Sequence, residues 1–319
     1  MSLRFAFRLY QRRLRQPLRT ARDAQITVRS GIWLRLETET ELRWAEIAPW
    51  PSFGSETFAE AIAFCEAFPA EPDWADLAAV PATLPACQFG FGCLRKPIRT
   101  GLLPTSAVLL PAGAAALSAI ASAAPATTYK WKIGLDWESE LELLLQLDRQ
   151  LPRSAKLRLD ANGGLTMAQA DRWLQALTAI NERQPGRIEW LEQPLDPSQV
   201  DDLLKLASNW LQVPIALDES VSQLPSLQFW QTQSWPGLYI LKPAIAGCPQ
   251  AVLQFCQEHQ LPVVVSSMFE SPIGWRVVAA IAAQLGRADQ AQGLGTTAWF
   301  ADDWESKTAA ALWQHPSNS

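Results

Sequence analysis

Histidine is almost missing from this 319-residue chain: there are two, His259 and His315. A zinc site built on imidazole has little to work with. Cysteine is scarce too. Cys65, Cys87, Cys93, Cys248 and Cys256 are odd in number and form no CxxC, so neither a disulfide framework nor a zinc knuckle is expected. Reduced thiols in a cytoplasmic protein are the reading that fits. No excess of positive charge exists: 27 Lys and Arg face 32 Asp and Glu, a net charge of −5. That speaks against nucleic acid as a partner. No uninterrupted apolar run is long enough for a membrane span. The longest, SAVLLPAGAAALSAIASAAPA, is broken by Pro111 and Gly113 and reads as strand, turn and Ala-rich helix. The N-terminal MSLRFAFRLYQRRLRQPLRT is basic but has no apolar core or cleavage site, so it is not expected to be a signal peptide. No GxGxxG follows a first strand, which argues against an open dinucleotide-binding sheet.

What is present divides the chain in two. The first ~95 residues lack regular strand–helix alternation. RFAFRLYQRRL alternates as a half-buried strand, and ITVRSGIWLRLETETELRWAEIAP reads as strands joined by turns. SETFAEAIAFCEAF reads as a helix with Ser55 as N-cap. This is an α+β module. From about Thr105 short strands alternate with helices. The strands are TSAVLL, TYKWKI, KLRLDA, IEWLEQ, PIALDE, LYILKP, PVVVSS and QGLGT. Eight such units in ~190 residues predict a parallel α/β fold closed as a TIM-type barrel.

Lumen positions of such a barrel are usually bulky and apolar. Here charges stand near the strand ends. Lys130 and Lys132 share one face of their strand, and Arg158 and Asp160 share one face of the next. Glu192, Asp218 and Lys242 end the following three. Any one of these alone would be an ordinary solvated loop residue. Together they give five consecutive strands ending in lysine, carboxylate, carboxylate, carboxylate, lysine. Burying that set is costly unless the charges pair or bind metal. All five would converge on the C-terminal face, where barrel enzymes keep their sites.

Asp160, Glu192 and Asp218 are hard oxygen ligands, and no His or Cys lies in their motifs. That favours Mg2+ over zinc, with Mn2+ as a substitute. Glu189 competes for the ligand role on its strand. Three residues before Glu192, it is expected to face the helix layer. Two lysines flanking a divalent cation suit removal of a proton next to a carboxylate.

At these residues the sequence resembles the enolase superfamily, within its muconate-lactonizing-like branch. The motifs are KWK at 130–132, DAN at 160–162, EQP at 192–194, DES at 218–220, LKP at 241–243 and SSMFESPIG at 266–274. Pairing a Lys or His base with Mg2+ is a general property of that superfamily. The resemblance implies a (β/α)7β barrel over 99–300 with an N-terminal capping domain over 1–98, on which residues 301–319 pack. It implies that Asp160, Glu192 and Asp218 hold Mg2+, that Lys132 is the acid/base, and that Lys242 sits across the site and steadies an anionic intermediate.

YQRRLRQPLRTARD at 10–23, WAEIAPWPSFGSETF at 44–58 and GLGTTAWFADD at 293–303 resemble the o-succinylbenzoate synthase family in particular. The implied reaction dehydrates 2-succinyl-6-hydroxy-2,4-cyclohexadiene-1-carboxylate to 2-succinylbenzoate, in menaquinone or phylloquinone synthesis. Lys130 and Arg158 are expected to make the mouth favourable to such a carboxylate substrate. Arg19, beside Leu18 and Thr20 in a lid loop, is expected near it. Ser266 and Ser267 are expected to shape the pocket, and Gly293 and Gly295 to let backbone N–H groups reach a carboxylate. Asn162, Glu219 and Glu270 are expected to support these groups. Two alternatives carry the same acids and lysines: an N-acylamino acid racemase or a dipeptide epimerase. The absence of Asp-x-Asp near GLGTTAW weighs against the epimerase. A non-catalytic barrel acting as a binding protein is the distant alternative.

Overall fold

The computed structural model describes residues 3–18, 25–99, 101–122 and 126–315. Strands β1 (Arg4–Leu18), β2 (Ile26–Glu37) and β3 (Leu42–Ile47) pair antiparallel in chain order. Both faces of this sheet are covered. Ile32, Leu34 and Leu36 join the main core, where helices α1 (Phe58–Ala67) and α2 (Pro85–Arg95) pack. Tyr10 and Trp33, on the other face, pack with Trp304, Leu312 and Trp313 of the C-terminal segment. The N-cap of α1 is Thr57, closed by Glu60 in a reciprocal capping box, and not the expected Ser55. Ser55 instead accepts a hydrogen bond from the Trp50 amide at 2.6 Å.

Seven parallel strands follow in sequential order: β4 (Val108–Leu110), β5 (Thr128–Lys132), β6 (Lys156–Asp160), β7 (Ile188–Glu192), β8 (Ile215–Leu217), β9 (Leu238–Leu241) and β10 (Val263–Val265). Between and after them run α3 (Ala115–Ser122), α4 (Trp137–Gln150), α5 (Met167–Arg183), α6 (Val200–Asn209), α7 (Leu224–Thr232), α8 (Pro249–Glu258) and α9 (Pro272–Leu285). Short α10 (Ala309–Trp313) packs on the antiparallel sheet. The helices show why they form: Thr166 and Gln169 make a capping box at α5, and Leu174, Leu177 and Trp173 bury its apolar stripe.

The eighth expected strand does not form as a strand. Gln292 and Gly293 make single parallel bridges, to Ser106 and Ser266 respectively. Away from Glu189 of β7, alternation along the strands sorts the side chains as expected. Leu157, Leu159 and Leu191 join the main core under the helices. Trp190, Ala216, Ile240 and Val264 form a separate buried cluster on the other face of the sheet.

A candidate metal and acid–base site

Register places the charges. Lys132 stands opposite Asp160, and Asp160 opposite Glu192, in one row across β5, β6 and β7. Asp218 and Lys242 directly follow β8 and β9. Asp160, Glu192 and Asp218 are buried, and each offers a ligand oxygen within 4.8 Å of the others. An oxygen-only set this tight fits a hard divalent cation, which can replace the water that the buried acids have lost.

The amines stand around these acids. Lys130 Nζ lies 2.5 Å from Glu192 Oε1 and 2.9 Å from Asp160 Oδ2. Lys132 Nζ donates to Asp160 Oδ2 at 3.1 Å and to Asn162 Oδ1 at 2.7 Å. Lys242 contacts Asp218 on the far side and lies 4.5 Å from the centre of the Phe53 ring. Burial works against charge on Lys130, but Asp160 and Glu192 outweigh it and hold the ammonium above its ordinary range. Burial likewise opposes charge on Asp160, yet Lys130 and Lys132 keep that carboxyl well below the usual carboxylate range. Lys242 goes the other way. Burial, reinforced by repulsion from Lys130 and Lys132 and opposed by Glu192 and Asp160, pushes it down to about 7. Burial and the nearby Asp160 push Glu219 up to about 7.

Asn162 links these groups. Its backbone is left-handed, at φ 45°, and its Nδ2 donates to Glu219 Oε1 at 3.0 Å while its Oδ1 accepts from Lys132. Ser266, Ser267, Gly293 and Gly295 line the same pocket. Glu270 accepts from Ser267 Oγ at 2.5 Å and from the Met268 amide at 2.8 Å, so it braces the loop between β10 and α9.

Three expectations need correction. Arg158 is not in the pocket. It is buried two residues down β6, donates to Glu189 Oε2 at 2.6 Å and to the Ala291 carbonyl at 2.6 Å, and stacks 3.9 Å from the Trp190 ring. Glu189 does not turn to the helix layer. The β6–β7 register slips between Leu157 and Arg158, which leaves Glu189 unopposed and swings its carboxylate to Arg158 and Lys156. Gly293 does not offer its N–H to a ligand, because that group donates to the Val265 carbonyl at 2.7 Å. It is glycine because a Cβ there would stand 2.8 Å from Ser266 Oγ. Arg19, with Thr20, lies outside the described residues. Leu18 lines the pocket as expected.

Sequence reasoning gave no role to Trp50, Phe53, Phe269 or Thr296, which also line the pocket. The first two sit in the quoted WPSFG run, where two large apolar residues between prolines and glycines were the available signal.

The family model for "Enolase C-terminal domain-like" matches residues 113–309, and that for "MenC, N-terminal domain" matches residues 7–97. An o-succinylbenzoate synthase of Thermosynechococcus vestitus is 39% identical over 282 residues, 85% of this chain and 86% of the relative. The chain belongs to the o-succinylbenzoate synthase family of the enolase superfamily. A crystal structure of the o-succinylbenzoate synthase from Thermosynechococcus elongatus BP-1, complexed with Mg in its active site, superposes with a TM-score of 0.84. It is 36% identical and covers 97% of this chain and 99% of that one. The L-Ala-D/L-Glu epimerase of Bacillus subtilis has a TM-score of 0.76 over 94% of this chain and 91% of its own. At 16% identity it shares the fold alone with this o-succinylbenzoate synthase family member. No helix among the described residues is long and apolar enough to cross a membrane.

Proposed function

We propose that this chain removes water from 2-succinyl-6-hydroxy-2,4-cyclohexadiene-1-carboxylate to give 2-succinylbenzoate, in menaquinone or phylloquinone synthesis. One observation carries the reading: three buried carboxylates share a ligand cluster within 4.8 Å, with Lys132 on one flank and Lys242 on the other. Membership of the family supports the choice of substrate.

Asp160, Glu192 and Asp218 would hold Mg2+, and Mn2+, which shares its preference for oxygen, would substitute. When bound, the cation supplies positive charge beside the substrate carboxylate, where negative charge grows as the α-proton leaves. Lys132, as the free amine, takes that proton from the ring carbon bearing the carboxylate. Asn162 Oδ1 holds the Lys132 amine in place for the task. The electron pair left on carbon forms the new ring double bond as the hydroxyl group departs. Lys132 returns its proton to the departing oxygen, so the α-hydrogen and the hydroxyl group leave together as one water and the ring becomes aromatic. Lys242, in its protonated form, faces the intermediate with positive charge, and the centre of the Phe53 ring lies 4.5 Å from its nitrogen.

The finer architecture belongs to the same reading. Residues 292–293, bridging Ser106 and Ser266, would close the seven strands into a (β/α)7β barrel. Residues 1–98 would form the capping domain and 99–300 the catalytic domain. The contacts of Arg12 with Asp302 and Glu305 support the packing of 301–319 on the cap. The five thiols are free, in keeping with a cytoplasmic enzyme.

The test is appearance of the aromatic product with wild type and Lys132→Ala, each with and without Mg2+. Product is expected from wild type with metal and from neither arm of the variant. Equal rates with and without Mg2+, or an active Lys132→Ala, would overturn the proposal.

A further inference from the structure

The antiparallel sheet grips one segment of the parallel-sheet domain, residues 268–274, which run from the loop after β10 into the first turn of α9. Glu46 of β3 is buried and its carboxylate faces this segment. Oε1 accepts from the Tyr10 hydroxyl at 2.5 Å and the Ser271 amide at 2.8 Å. Oε2 accepts from the Gly274 amide at 2.9 Å and from Ser271 Oγ. The carboxylate thereby satisfies amides at the start of α9, where the helix leaves its N–H groups without partners. Trp33 Nε1 donates to Ser271 Oγ at 2.9 Å. Arg29 Nε donates to the Met268 carbonyl at 3.2 Å, and Arg12 Nη1 to the Glu270 carbonyl at 3.4 Å. The fit leaves no slack: a Cβ on Gly274 would stand 2.9 Å from Glu46 Oε2.

What lies between these anchors is pocket wall. Met268 and Phe269 line the site. Phe269 holds a left-handed backbone, φ 60°, which is costly for a bulky residue and persists only where the surroundings impose it. Its ring packs 6.0 Å from Trp50, the pocket residue beside the Ala48 and Pro49 carbonyls that Arg29 also holds.

We propose that Glu46 is a positioning residue for substrate binding. From the antiparallel sheet it fixes the start of α9 and, through it, the strained Phe269 that closes one wall of the pocket. This rests on the dehydratase reading above, and it assigns Glu46 no contact with the reacting atoms.

The test is Glu46→Gln in the full chain loaded with Mg2+. The amide keeps the size but sets an NH2 group against amides that need an acceptor. KM for the cyclohexadiene substrate should rise about tenfold or more, with a smaller change in kcat, as expected when a wall moves by a fraction of an ångström. Mg2+ affinity measured by calorimetry should stay within about twofold, because no metal ligand is touched. A folded variant that loses thermal stability but keeps wild-type KM would overturn the proposal.

Should Glu46→Gln fail to fold, Trp33→Phe removes one hydrogen bond to Ser271 and leaves a smaller aromatic ring in place of the indole. It should raise KM about two- to threefold, and an unchanged KM counts against the grip. If wild type itself does not turn over the substrate, the dehydratase reading fails. The grip is then judged by hydrogen exchange of the 266–274 amides, which should quicken in Glu46→Gln and would contradict the proposal by staying as slow as in wild type.

Discussion

Two residues apart on β6, Arg158 and Asp160 point to the same side of the sheet and lead different lives. Arg158 has protein partners for its charge: Glu189, the Ala291 carbonyl and the Trp190 ring. Asp160 shares a cluster with two more acids and three amines, around a space that suits a cation. Charge on the inner face of a strand is therefore no evidence of a site in itself. The deciding feature is whether the protein satisfies the charge or leaves it for a ligand.

That contrast can be broken in several places. The largest effect should come from the upper row. Lys132→Ala should cut kcat by about a thousandfold or more, since it removes the proton carrier, and product absorbance would report it. Asp160→Asn is next. It should weaken Mg2+ binding by at least about a hundredfold in calorimetry, exceeding what loss of a supporting residue costs. Asn162→Ala, which only holds Lys132 and Glu219 in place, should cost about tenfold in kcat/KM.

The Arg158–Glu189 pair should behave in the opposite manner. Arg158→Met leaves the Glu189 carboxylate with Lys156 as its remaining ion-pair partner and should cost about 1.5–3 kcal/mol in denaturant unfolding. Catalysis by the folded fraction should nevertheless stay within about threefold of wild type, because Arg158 lies outside the pocket. Adding Glu189→Leu should recover most of the stability, as apolar replacement of a buried pair does. A large catalytic loss in Arg158→Met with unaltered stability would erase the distinction between Arg158 and Asp160. The smallest effect is expected at Ser266→Ala, about two- to threefold in KM for the loss of one pocket hydroxyl.

The upper row was legible because strand alternation is a rigid rule: Lys132, Asp160 and Glu192 had to share a face once their strands were recognised. Glu189 misled because the same rule fails at a register slip, and nothing in IEWLEQ marks one. Arg158 misled because its partner was that same misplaced residue. Gly293 was recognised as necessary but for the wrong reason. Its lack of a side chain serves packing on Ser266, a contact between segments 27 residues apart that no local pattern encodes. The antiparallel domain was legible as α+β, with α1 shifted to a start at Thr57. Its grip on residues 268–274 was not, since Glu46 reads in sequence as an ordinary strand charge. The eighth strand was overread: QGLGT contributes two single bridges among the described residues, through Gln292 and Gly293.

Calorimetric titration of Mg2+ into wild type and into a variant combining Asp160→Asn, Glu192→Gln and Asp218→Asn tests the account most directly. Wild type should bind one ion per chain, and the folded triple variant should release no measurable heat of binding. Equal binding by the two proteins would contradict it.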